Sequence, residues 1–220
     1  EGKASTLHKS TANGDVFDIA IKSYDFQAPI GQFGQTRPHY RWLRRLNLFL
    51  EDFGSDLARM PAFLPVEQNK SPELRWSVRS DGQAGFVFVN NYQRLYPMPP
   101  VRDVRFEIRL PGGAKVFVPQ SPVTIPADSF FVWPVNMELA GARLIHATAQ
   151  PLLQQNDSDG GLTVVFVETP GIQAEFAFDP LTLEKANAFE SLVVFKAEPW
   201  PAPPLRVSTA DGREVRLVLL

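Results

Sequence analysis

Three pairs of carboxylates lie close enough in the sequence to be tested for shared acid and nucleophile work: Glu51 with Asp52, Asp103 with Glu107, and Asp157 with Asp159. Retaining hydrolysis of a glycosidic bond needs two carboxyl groups about 5–5.5 Å apart, one protonated and one ionised. Glu51 and Asp52 are neighbours on an expected helix and point in different directions. Asp103 and Glu107 are two strand steps apart among arginines, as on a solvated face. The run Gln155-Asn156-Asp157-Ser158-Asp159-Gly160 carries acids at calcium-loop spacing. Counting from Gln155, however, the twelfth residue is Phe166, where an EF-hand needs a bidentate glutamate, so the run reads as a turn. These pairs yield no catalytic residue and no metal ligand.

Other chemistries lack parts. With no cysteine among the 220 residues there is no disulfide, thiolate site or cysteine nucleophile. His8, His39 and His146 are too scattered for a helical zinc pair. Gly31-Gln32-Phe33-Gly34 matches the short GxxG of one nucleic-acid module but lacks its basic surroundings. There is no GxSxG elbow and no phosphate-binding glycine loop. A formal charge of −2 gives no electrostatic case for nucleic acid or an anionic membrane. No apolar run approaches the roughly 20 residues of a membrane span. No cofactor is expected. Trp76, Tyr92, Tyr96 and Trp200 are the aromatics that could stack on a sugar ring, although single aromatics on strands more often fill a core.

The elements around these residues fall into two kinds. Val16, Phe17, Ile19 and Ile21 make a short apolar strand, and a Pro/Gly loop leads from it to a helix starting near Thr36. Tyr40, Leu43, Leu46, Leu50 and Phe53 form its apolar stripe, widened by Phe49, and Gly54 is the natural stop. A lone parallel strand and one apolar helix cannot shelter themselves, so residues 1–60 are expected to pack on further polypeptide. After about residue 66 the pattern becomes ten or more short strands among 20 prolines and 17 phenylalanines. Hairpins are expected at Ser80-Asp81-Gly82-Gln83, Pro111-Gly112-Gly113 and Asp211-Gly212. The proline-rich stretch 198–204 reads as a boundary.

Three stretches together resemble glycoside hydrolase family 35 β-galactosidases. They are Lys22-Ser23-Tyr24-Asp25-Phe26-Gln27-Ala28-Pro29-Ile30 with the helix after it, Gly85 to Arg94, and Thr124 to Pro134 followed by Ala147 to Pro151. In that family a Ser-Tyr-Asp-Tyr-Asp-Ala-Pro segment ends the eighth barrel strand, and an aromatic hydroxyl from it lies near the galactose. This chain keeps Tyr24 but has Phe26 and Gln27 where the family pattern has Tyr and Asp. The resemblance implies that Tyr24 and Phe26 contact substrate, because barrel enzymes place such contacts at the C-terminal strand ends. Packing of both rings as a cap on the barrel core is the alternative.

The expected fold is mainly β: an antiparallel sandwich or barrel-like domain (66–198), preceded by the terminal strand–helix unit of a (β/α)8 barrel (1–65). Residues 199–220 would form a linker and hairpin, possible start of a further β module. The resemblance implies part of a retaining β-galactosidase acting on terminal β-galactosides. The catalytic glutamates would lie on earlier strands outside this chain. Its partners would be the upstream catalytic barrel and a galactose-containing glycan, and family habit points to periplasm or secretion. The alternatives are a noncatalytic carbohydrate-binding β module and a structural interaction domain.

Overall fold

The computed structural model describes residues 26–65, 74–185 and 191–220, and the backbone alone of 8–10 and 17–21. By contact the chain divides into two compact units, 1–47 and 48–220. In the first, β1 (His8–Ser10) and β2 (Phe17–Ile21) form an antiparallel pair. The expected apolar strand is thus present, but its neighbour runs antiparallel, unlike a barrel strand. A loop then closes on itself, with Gly31 N donating to Gln35 O at 2.8 Å and Arg37 N to Pro29 O at 3.0 Å.

Helix α1 (Pro38–Arg59) begins with proline in its first turn, where the missing N–H has no helical partner to lose. It does not stop at Gly54. Phe49, Phe53, Leu57 and, just past the helix end, Met60 are buried, and their packing outweighs the roughly 1 kcal/mol that a helical glycine costs. Of the expected stripe Phe49 and Phe53 are buried and Leu57 extends it, whereas Tyr40, Leu43, Leu46 and Leu50 remain exposed.

Unit 48–220 is mainly β with large antiparallel sheets. Its strands are β3 (Ala62–Phe63), β4 (Arg75–Ser80), β5 (Gly85–Asn91), β6 (Val101–Arg109), β7 (Lys115–Ile125), β8 (Ser129–Leu139), β9 (Ala142–Ala147), β10 (Ala149–Asn156), β11 (Leu162–Glu168), β12 (Ala174–Phe178), β13 (Val193–Ala197), β14 (Leu205–Ser208) and β15 (Glu214–Leu219). A seven-stranded sheet runs in the order β13-β12-β9-β8-β5-β4-β3, and a four-stranded sheet in the order β10-β11-β15-β14. One pair departs from the antiparallel expectation: β15 lies parallel to β11. That register sets Leu162 beside Val215, Val164 beside Leu217 and Phe166 beside Leu219. All six are buried, so each strand's period of two feeds one core.

The hairpins fall where the turn residues place them. At the β4–β5 turn the Asp81 carboxylate accepts from Gln83 N and Ala84 N at 2.8 and 2.9 Å. A Cβ at Gly85 would stand 2.5 Å from Arg79 O, so only glycine fits there. The β6–β7 hairpin turns through Gly112 and Gly113, both with positive φ. The last hairpin closes over 209–213, with Gly212 at φ +84.

Strict alternation gives the seven-stranded sheet two apolar faces. Phe86, Val132, Leu144, Phe176 and Phe178 meet the four-stranded sheet and α1. Val87, Val89, Phe131, Trp133 and Val135 meet the β6–β7 hairpin through Phe106, Val116, Val118 and Ile125.

Candidate functional site

Of the two residues singled out as substrate contacts, Tyr24 lies outside the described residues. Phe26 lies in a turn at φ 46 and is 82% exposed.

In each pair at least one carboxylate is held by the fold. Glu51 is exposed, while Asp52 turns back and accepts from Gln154 N at 2.7 Å, tying α1 to β10. Glu107 is held by Arg109 and Lys115 at 2.8 and 3.0 Å, which keep its carboxyl below the ordinary range. Asp157 accepts from Thr163 Oγ1 at 3.0 Å, and Asp159 from Arg216 Nη2 at 2.9 Å. Arg216 also binds Glu214 at 2.6 Å, so a guanidinium stands among the three acids where a cation would be sought. Among the described residues no group of acids and histidines is set to hold a metal ion.

The aromatics separate into two places. Trp76, on β4, packs edge-on against Phe106 at 5.6 Å and walls a cleft of about 740 Å³ between β4 and β6. Its floor is apolar (Val78, Val104, Ile108, Leu110), with Asp103, Glu107 and Arg109 among its lining residues. Tyr92 meets Phe130 edge-on at 6.5 Å at the end of β5, and Tyr96 is 53% exposed beside it in the chain. Trp200 is 68% exposed, its backbone N–H donating to Leu219 O at 2.8 Å.

Two polar arrangements had no signal in the sequence. His146 is fully buried, with Nε2 2.9 Å from a Glu175 carboxylate oxygen that also accepts from Gln120 N at 2.8 Å. Burial alone would push that carboxyl up. The bonds from His146 and Gln120, with Lys196 nearby, hold it below its ordinary value. The pair spans β9, β12 and β7, so it fastens the hairpin to the sheet. The second is Asn91, fully buried, whose Nδ2 donates to Pro99 O at 3.0 Å and Pro126 O at 2.9 Å. It fixes the loop that carries Tyr92 and Tyr96. Only long-range pairing reveals either role, because the partners are distant in sequence.

The described residues thus hold exposed aromatics and a cleft, but no converging acid and nucleophile. None of their helices is long and apolar enough to cross a membrane. Compared with known proteins, the chain matches no family model and no curated protein.

Proposed function

We propose that this chain is part of a retaining β-galactosidase related to glycoside hydrolase family 35. In this view it completes the catalytic barrel with its strand–helix segment and braces it with the β domain, while the glutamates reside upstream. The substrate is a terminal β-galactoside, with Tyr24 and Phe26 at its edge. The observation that carries this reading is the split character of α1. One stripe, Phe49-Phe53-Leu57, is locked into the β domain. Nearer the N-terminus the same apolar face stays open: Tyr40, Leu43, Leu46 and Leu50 are 36%, 43%, 42% and 41% exposed. An apolar helix face that is buried toward one end and open toward the other is built to be covered there by a further body. Barrel completion would give Phe17–Ile21 parallel neighbours in place of the antiparallel His8–Ser10 it has here.

The cysteine-free background makes a clean test. A thiol introduced by Leu46→Cys is expected to react with a maleimide as an exposed group in residues 1–220 alone. In the full-length product of the gene it should react about ten times more slowly or less. Equal rates in both would remove the support that α1 gives.

A further inference from the structure

Strand β6 has β7 on one side and, among the described residues, no strand on the other. Its outer edge therefore presents a row of backbone N–H and C=O groups. The cleft of about 740 Å³ runs along that edge. Every residue from 103 to 111 lines it, from both faces of the strand, as a cleft beside an edge requires. Burial alternates strictly from Asp103 to Arg109. Val104, Phe106 and Ile108 join the core that Trp76 and Val78 border. Asp103, Arg105, Glu107 and Arg109 stand on the exposed face.

That exposed face carries charges of alternating sign: acid, base, acid, base. A row of one sign would hold two such edges apart, because like charges directly opposite destabilise a pair of strands. This row is its own complement when reversed end for end. In an antiparallel pairing of two β6 strands about Phe106, Arg105 of each copy faces Glu107 of the other. Asp103 likewise faces Arg109. Pairing about Arg105 or about Glu107 would instead set like charges opposite. A slip of one residue would turn one copy's charges toward the apolar side of the other. Asp103, at φ 56, lies in the stretch where the ladder to β7 is irregular, so the two Arg105–Glu107 pairs beside the axis carry the register. Contacts within the chain order the row without covering it. Arg105 lies 4.3 Å over the Phe117 ring, and Arg109 binds Glu107 while its side chain stays 76% exposed.

We infer that β6 is a self-association edge: two copies pair antiparallel about Phe106 to make one continuous sheet in the order β7-β6-β6-β7. The same patch then serves both copies, as a two-fold interface requires. Each copy's β6 borders the cleft of the other, where Val104 and Ile108 help to cover the apolar floor. An edge meant for a different partner would have no need to be its own complement. One strand edge buries less than the roughly 800 Å² per partner of a standard complex, so the dimer is weak and depends on concentration.

Sedimentation velocity of the 220-residue chain, from micromolar to millimolar concentration, provides the test with Arg105→Glu and Glu107→Arg. Both side chains are exposed, so neither change should unfold the chain, which circular dichroism checks. The parent should shift from monomer toward dimer as concentration rises. Each variant alone sets like charges opposite and should weaken dimerisation about tenfold or more. Mixed in equal amounts, the two variants should form a heterodimer about as tight as the parent, since every reversed charge then meets its opposite. A parent that stays monomeric at millimolar concentration overturns the proposal. Association that both single reversals leave intact does so too, because it then runs through another surface such as the open face of α1. A mixture no tighter than its components also overturns it.

Discussion

Truncating Phe49 to alanine is expected to destabilise the protein by about 3–5 kcal/mol, the range for removing a fully buried aromatic ring. Phe49 has no exposed surface although Leu46 and Leu50, near it on the helix, are both more than 40% exposed. Its ring stacks on Phe53 at 5.5 Å and meets Phe86 of β5 edge-on at 5.3 Å. It is thus a principal hold of α1 on the seven-stranded sheet, and the cavity left by alanine cannot collapse without moving a strand. Leu46→Ala, on the open stripe, should fall within about 0.5 kcal/mol of the parent. Urea unfolding of residues 1–220 and both variants checks the contrast. Equal destabilisation by the two would mean that the buried and open parts of the helix do not differ.

Trp133→Ala should cost about as much, roughly 3–5 kcal/mol, for a different reason. Trp133 is fully buried on the opposite face of the same sheet, stacked on Phe131 at 4.3 Å. Its Nε1 donates to Thr169 Oγ1 at 3.0 Å. Alanine therefore removes the ring that the β6–β7 hairpin covers and takes a donor from a buried hydroxyl. Trp133→Phe keeps most of the volume and loses the hydrogen bond, so about 1–3 kcal/mol is expected. The measurement is again urea unfolding, with the m-value watched. A loss from alanine no larger than that from phenylalanine would show that packing under the hairpin contributes little.

How much of this was legible in the sequence depends on the range of the forces involved. The hairpins at Asp81-Gly82 and Gly112-Gly113 were readable because their turns need particular residues locally. The alternation Phe86-Val87-Phe88-Val89 marked a strand, but not that both of its faces are covered. The end of α1 was misjudged at Gly54, since local propensity carries no knowledge of Leu57 and Met60 packing on the β domain. The parallel pairing of β11 with β15 joins residues about fifty apart and leaves no local trace. Of the candidate contacts, Tyr92 and Tyr96 were named from side-chain type. The feature that sets their loop apart, a left-handed Leu95 held out in solvent, cannot be read from a leucine codon. Arg216 stands beside Asp157 and Asp159, a pairing between residues distant in sequence that leaves no local trace.

The most direct test of the account is hydrolysis of an aryl β-D-galactoside, measured side by side on residues 1–220 and on the full-length product of the gene. The full-length product is expected to release galactose with the β configuration retained, while the 220 residues at equal molarity give only the rate of buffer. Hydrolysis by the 220 residues alone would mean that an acid and nucleophile lie within them, and would contradict the assignment of the catalytic glutamates elsewhere.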